Sequence, residues 1–288
     1  MRRAAMAKVR VVTDSSWDMP EEVRARYEVT VVPLAVIFGQ EEFLETELTR
    51  EAFWEKAAQV HPQTSQPSPG DFEVAFRRLV DAGHDVVCLT VTGKHSGTFN
   101  SATTAAANFP PGRIAVFDSC SISWGQGFQA VAAAQWAEEG ASLEEIVRRL
   151  EDLRGRLHVF ILLDTLEYLE RGGRAALLMP VVKRVARAFN IKPIINLVDG
   201  ELTLRSAARS YRKGMDRLVE EAKALAPLEK VAVLHVRNLE AAETLRREVA
   251  AALGLSPEEV GLGELGAALS CHGGPGMTAI VAVRARSG

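Results

Sequence analysis

The feature that most constrains this chain is a rhythm in its first half, where short β-branched runs alternate with helix-length amphipathic segments. That is the pattern of a parallel sheet joined by crossover helices. The spacing predicts strands at Val9–Thr13, Thr30–Ile37, Asp85–Thr92 and Arg113–Asp118. Helices are predicted near Pro20–Tyr27, Arg50–Gln59, Asp71–Ala82 and Thr98–Asn108. Three of the strands end in small polar residues: Thr13-Asp14-Ser15-Ser16, Thr92 followed by Gly93-Lys94-His95-Ser96-Gly97-Thr98, and Asp118-Ser119. Open parallel sheets bind ligands at this end, because the loops and helix N-termini there present free N–H groups to an anion.

At 288 residues the chain is long enough for about two cores. Helical patterns at Ser123–Glu139 and Ser142–Leu153 follow the parallel strands, the second opening with a capping box formed by Ser142 and Glu145. From Leu157 the pattern becomes mixed: a strand at His158–Leu163, a short helix through Leu169, the Arg171-Gly-Gly-Arg174 turn and a further helix to Phe189. Ile191–Val198 and Glu201–Ser206, separated by Asp199-Gly200, predict a β-hairpin, since Asp-Gly suits a two-residue turn with positive φ. Helix Ser210–Leu225, strand Lys230–Val236, helix Leu239–Leu253 and strands Glu259–Leu262 and Thr278–Arg284 complete a mixed-sheet second domain. The boundary is expected near residues 155–165.

Composition narrows the function. Hydrophobic residues make up 47% and charged residues 25%, the balance of a folded globular protein. No apolar stretch approaches the ~20 residues of a membrane helix, and Met1–Lys8 lacks the apolar core of a signal peptide. A net charge of −3 supplies no general attraction to phosphate backbones, so nucleic acid is not expected as a partner. Cys88, Cys120 and Cys271 are odd in number and irregularly spaced, which fits neither a disulfide framework nor a zinc knuckle and points to a reducing cytoplasm. Cys88 reads as core packing, while Cys120 and Cys271 stand in turn-like sequence.

Several motifs fail a test of context. Gly261-Leu-Gly263-Glu-Leu-Gly266 matches a dinucleotide fingerprint but has no acidic residue about 20 positions downstream, and Gly125-Gln-Gly127 stands too far from the preceding strand. Both are read as turn and helix packing. No P-loop, HExxH or GxSxG sequence occurs. The segment from His61 to Pro69 carries three prolines, reading either as a rigid loop that aims Thr64 or Ser65, or as an ordinary cap with Ser68 or Asp71 opening the next helix. Ser96-Gly97-Thr98 stands directly before an Ala-rich helix, where Ser96 either caps the helix or joins its free N–H groups in holding an anion. His95 and Ser96 are adjacent and diverge, so no base–nucleophile dyad is expected. Ser270-Cys271-His272-Gly273-Gly274-Pro275-Gly276 reads as a glycine loop presenting one imidazole, either to a ligand or to a structural hydrogen bond.

Taken in order, these segments resemble the DegV family of bacterial fatty-acid-binding proteins. The resemblance is carried by Thr13-Asp14-Ser15-Ser16 with Asp18, Thr64-Ser65-Gln66-Pro67, Ser96-Gly97-Thr98, Asp118-Ser119, Gly172-Gly173-Arg174 and His272 with Gly274-Pro275-Gly276. It implies an α/β fold of two domains: an N-terminal three-layer α/β/α domain with a parallel sheet at 8–158 and a C-terminal two-layer α/β domain with a mixed sheet at 159–286. A long-chain fatty acid would lie in a tunnel between them. The resemblance further implies a non-catalytic carrier, without cofactor or metal, that presents the acid to a separate ATP-dependent fatty acid kinase for phospholipid synthesis. Position by position, Thr64, Ser96 and His272 would bind the carboxylate, Gly97 and Thr98 would add backbone N–H groups, and Arg174, Arg209 and Arg212 would face the kinase.

Two departures stand out. Lys94-His95 are more polar than is usual before Ser-Gly-Thr and bear on the head group, whereas Glu45, where Asp is common, is expected to concern loop structure alone. The alternatives are a small-molecule-modifying enzyme, such as an acyl hydrolase or a kinase-like protein using Ser96 or Cys120, and a lipid-sensing regulatory module.

Overall fold

Adjacent residues of the first strands face opposite ways, and each face finds its own helices. The computed structural model describes residues 9–173 and 191–286. Strands β1 (Val9–Asp14), β2 (Thr30–Val32), β6 (Asp85–Thr90) and β7 (Ile114–Asp118) form a parallel sheet in the order β2-β1-β6-β7. Val12, Val86 and Cys88 pack on Phe72 and Phe76 of α3 (Pro69–Asp81) and on Ala102 and Ala105 of α4 (Thr98–Ala106). Val11, Val87, Leu89 and Phe117 point the other way, onto α5 (Trp124–Glu138) and α6 (Leu143–Gly155). The helix–sheet–helix layering follows from period-two alternation in strands that are apolar on both faces.

The expected strand Thr30–Ile37 is two strands in two sheets. Pro33 lacks the N–H that would continue the ladder, so the chain leaves the parallel sheet after Val32. It resumes as β3 (Ala35–Phe38), the centre of a small antiparallel sheet with β4 (Glu41–Leu44) and β5 (Gln63–Ser65). The proline-rich segment therefore contains a short strand rather than loop alone, with Thr64 opposite Val36. Ser68 caps α3 in a reciprocal box with Asp71, and Pro69 takes the first helical position.

Six strands make the second, mixed sheet, in the order β10-β9-β8-β13-β11-β12. They are β8 (Leu157–Leu162), β9 (Lys192–Val198), β10 (Glu201–Ala208), β11 (Leu228–His235), β12 (Gly261–Glu264) and β13 (Thr278–Arg284). The β9–β10 hairpin turns at Asp199 and Gly200, both at positive φ, as the Asp-Gly pair predicts. One face of the sheet, with Leu162, Val233 and Ile280, packs on α8 (Tyr211–Ala224) and α9 (Leu239–Leu253). The expected helix reaching Phe189 falls largely outside the described residues.

The other face of this sheet meets the first half of the chain through α5. Ala130, Ala133, Ala134 and Ala137 turn toward the parallel sheet, while Trp124, Phe128 and Ala132 join Ile161, Leu234 and Val281 of the mixed sheet. A helix covered on both sides is apolar all round, which explains its run of alanines. The two fingerprint-like glycine clusters meet here: Gly261 and Gly263 lie under the Trp124 ring, where a Cβ would come within 2.6 and 2.7 Å of it. They serve packing, as the failed context test implies.

Candidate functional site

Between the mixed sheet, the ends of β1 and β6 and the segment leading into α5 lies a cavity of about 840 Å³ of space between atoms, its mouth included. β1 is flanked by β2 on one side and β6 on the other, so the chain winds both ways from this point, the switch position where open sheets bind ligands. The walls are aliphatic, with Ile161 and Leu163 from the β8 strand and its end, Ile195 from β9 and Leu202 from β10 among the lining residues. The polar lining residues are Ser16, Thr64, Thr92, His95, Ser96 and His272. Among the described lining residues none is Lys, Arg, Asp or Glu.

Of the residues singled out from sequence, the structure brings Thr64, Ser96 and His272 to this cavity. Thr64 Oγ1 and His272 Nε2 are 3.0 Å apart. His272 is not in a loop: it occupies the last turn of α10 (Ala267–Gly273), and Cys271 beside it is buried. Its ring fits because Gly172, just after α7 (Glu167–Arg171), has no Cβ; one placed there would collide with His272 Nδ1. Gly97 has the same role beside Gln66, whose side-chain amide a Cβ would strike. The Thr64-Ser-Gln-Pro and Ser96-Gly-Thr segments are thus interlocked through Gln66 and Gly97.

Ser96 stands one residue before the cap position of α4, which is Gly97. Its hydroxyl lines the cavity, lies 2.7 Å from Thr98 Oγ1 and accepts the Thr98 backbone N–H at 3.3 Å. Gly97 and Thr98 are not lining residues, and the Thr98 N–H is already directed at Ser96. Arg209 is exposed at the end of β10, and Arg212 is engaged by Asp216 at 2.9 Å and Glu248 at 2.6 Å. Arg174 lies outside the described residues.

Other site residues carry weaker sequence signals. His95 does not address Ser96; its Nε2 accepts the Leu202 N–H at 3.1 Å, tying the loop before α4 to β10, while Lys94 is exposed. Thr92 donates to Gly200 O at 2.8 Å and seats the β9–β10 turn on the first half of the chain. Asp14, buried, accepts the Val91 N–H at 2.7 Å and the Ser16 hydroxyl at 2.5 Å, and burial pushes its carboxyl above the usual range. Glu45, expected to matter only to its loop, reaches the second half of the chain, where its Oε1 accepts the Ala268 N–H at 2.7 Å. The buried position lets one carboxylate serve a helix start 223 residues away.

Burial pushes the Cys120 and Cys271 thiols up, away from the thiolate, and Ser96 bonds to Thr98 rather than to a base. Among the described residues no group of three or more His, Cys, Asp or Glu could hold a metal ion. No helix among them is long and apolar enough to cross a membrane.

A family model described as "Uncharacterised protein, DegV family" matches residues 8–285. The chain belongs to the DegV family. A DegV domain-containing protein of Streptomyces coelicolor is 32% identical over 283 residues, 95% of this chain and 97% of that one. Among solved structures, a DegV family protein from Thermus thermophilus, described for fatty acid binding, is 33% identical with a TM-score of 0.85, covering 96% of this chain and all of its own. A stearic acid-binding protein from Eubacterium ventriosum is 27% identical with a TM-score of 0.84, covering 97% and 98%. The parallel N-terminal sheet and mixed C-terminal sheet are therefore the DegV arrangement of two domains.

Proposed function

We propose that this DegV protein is a carrier that holds a long-chain fatty acid in the cavity and performs no chemistry on it. The observation that carries the reading is a largely aliphatic cavity whose polar lining, among the described residues, is uncharged hydroxyls and imidazoles. Each buried CH₂ contributes ~0.8 kcal/mol, so the tail provides most of the affinity and the head-group contacts supply orientation. Thr64, Ser96 and His272 bind the carboxylate, and Gly97 and Thr98, next to Ser96 at the start of α4, supply backbone N–H groups on that side. The fatty acids bound by the Thermus and Eubacterium relatives support this assignment.

The carboxylate is then presented to a separate, ATP-dependent fatty acid kinase. Uncharged donors suit that task, because a buried ion pair would hold back the oxygen that must attack the phosphorus. Arg174, Arg209 and Arg212 face the kinase, in a cytoplasmic setting that keeps Cys88, Cys120 and Cys271 as free thiols. The chain divides at 158/159 into two domains that form the walls of the site. Denaturing mass spectrometry of the purified protein tests the reading: a stoichiometric C14–C20 acid is expected, and a clean protein unable to take one up would overturn it.

A further inference from the structure

Helix α10 forms one wall of the cavity, giving it Ala268, Leu269, His272 and Gly273. It is gripped at both ends by the first half of the chain. At its start the Gly266 N–H donates to Asp18 Oδ1 at 3.0 Å and the Ala268 N–H to Glu45 Oε1 at 2.7 Å. At its end His272 meets Thr64. Both carboxylates are fixed from behind: Ser123 donates to Asp18 Oδ2 at 2.7 Å, and Ser15 donates to Glu45 while accepting the Leu34 N–H at 2.9 Å. A Cβ at Gly266 would lie 2.6 Å from Glu45 Oε1 and 2.7 Å from Asp18 Oδ1, so the two carboxylates face one another across a position that only glycine fits.

We propose that Asp18 and Glu45 are positioning residues of the site, clamping the start of α10 so that its last turn sets His272 against Thr64. This rests on the fatty-acid reading for its consequence, but the clamp itself does not depend on a ligand. Two buried carboxylates on either side of Gly266 favour the protonated form of one of them. Of the cations nearby, Arg24 pairs with Glu21 at 3.3 Å, and Arg50, paired with Glu264 at 3.5 Å, also acts on Asp18 and opposes the rise without cancelling it. Asp14 adds negative charge on the Glu45 side, and the Cys271 thiol stays neutral. Burial and then the Glu45 charge push Asp18 well above the carboxylate range, and burial, with Asp14, pushes Glu45 up. Removing the Asp18 proton leaves two anions on either side of Gly266 beneath the helix start, so the clamp weakens as pH rises. Asp18→Asn copies the protonated form, since its amide oxygen accepts from Gly266 and its NH₂ donates to Ser123.

The test uses the full chain loaded with palmitate, following palmitate transfer to phosphatidylcholine vesicles across pH together with amide hydrogen exchange at Gly266 and Ala268. Wild-type transfer is expected to accelerate toward high pH more steeply than in Asp18→Asn, which shares every effect of the acid's own ionisation. Asp18→Ala and Glu45→Ala should transfer at least tenfold faster at neutral pH and lose protection at the two amides. An Asp18→Asn profile identical to wild type, or unchanged protection in the alanine variants, overturns the proposal. Should palmitate fail to bind the wild type, the carrier reading falls, and protection of Gly266 and Ala268 in wild type against Asp18→Ala still decides the clamp. Should the alanine variants fail to fold, the Asp18→Asn profile decides it.

Discussion

Thr64 Oγ1 and His272 Nε2 stand 3.0 Å apart although 208 residues separate them in the chain. One belongs to the edge of a three-stranded sheet, the other to a seven-residue helix that neither sheet contains. What brings them together is packing around α10, where Val36, Phe38 and Phe53 bury Ala267 and Cys271 in a small cluster of their own. The polar lining of the cavity is therefore assembled by the closure of the two halves rather than by either one alone.

Thr64→Ala and Ser96→Ala should each lower phosphorylation of the bound acid by the partner kinase more than they lower retention of the acid. Each variant removes one hydrogen bond of about 1 kcal/mol, about fivefold, at the head group, while burial of the tail is untouched. Mass-spectrometric occupancy and acyl-phosphate formation, measured on the same preparations, separate the two effects. Equal losses in both would count against a head-group role.

Gly172→Ala and Gly155→Ala should change stability in opposite directions. Both glycines sit at helix ends without positive φ, so alanine restricts the unfolded chain and would ordinarily stabilise by roughly 0.4–1 kcal/mol. That gain is expected for Gly155, whose Cβ would meet nothing within 4 Å. At Gly172 the Cβ would collide with His272 Nδ1 and come within 2.9 Å of Tyr168 O, so a loss of about 1–3 kcal/mol is expected. Urea unfolding of the two variants gives the signs, and a Gly172→Ala protein as stable as wild type would mean that the ring moves aside at no cost.

The sequence makes plain what is decided locally and conceals what is decided at a distance. Helix Leu239–Leu253 and strand Thr278–Arg284 coincide with the elements observed, because their apolar period and ends are encoded in neighbouring residues. The Asp199-Gly200 turn is legible for the same reason. The strand expected at Thr30–Ile37 fails where Pro33 stands, a local signal that outweighs the β-branched run around it. Glu45 illustrates the other kind of error: no feature near residue 45 says that its partner is the N–H of Ala268. The contact of Ser96 with Thr98 is local, while the attachment of His95 to Leu202 depends on how the halves close.

His95→Ala should loosen that attachment without disturbing Ser96. The substitution leaves the Leu202 N–H facing the cavity wall with its acceptor removed, a cost of about 1–3 kcal/mol for a donor shielded from water. Amide exchange at Leu202 is expected to accelerate by at least tenfold, and His95→Gln, which offers an oxygen acceptor of similar reach, to recover part of the protection. Unchanged exchange at Leu202 in the alanine variant would show that the β10 ladder alone protects this amide.

Tyr211 should give the protein a distinct loss of stability in alkali. Its hydroxyl donates to Gly276 O at 2.6 Å, lies 3.0 Å from Thr278 Oγ1 and accepts from Asn238 Nδ2 at 3.0 Å, and burial pushes the phenol from 10.0 up to about 12. The folded protein thus keeps a proton that the unfolded chain gives up near pH 10, so the stability this group contributes is complete below pH 10 and lost as pH rises toward 12. Two pH units correspond to an effect on the order of 2–3 kcal/mol. Tyr211→Phe removes the titrating proton together with the bond to Gly276, so it should lower stability by about 1 kcal/mol at neutral pH and flatten the curve between pH 10 and 12. Urea unfolding of both proteins across that window provides the measurement, and parallel curves would show that the Tyr211 hydroxyl is reached by solvent and ionises as it does in the unfolded chain.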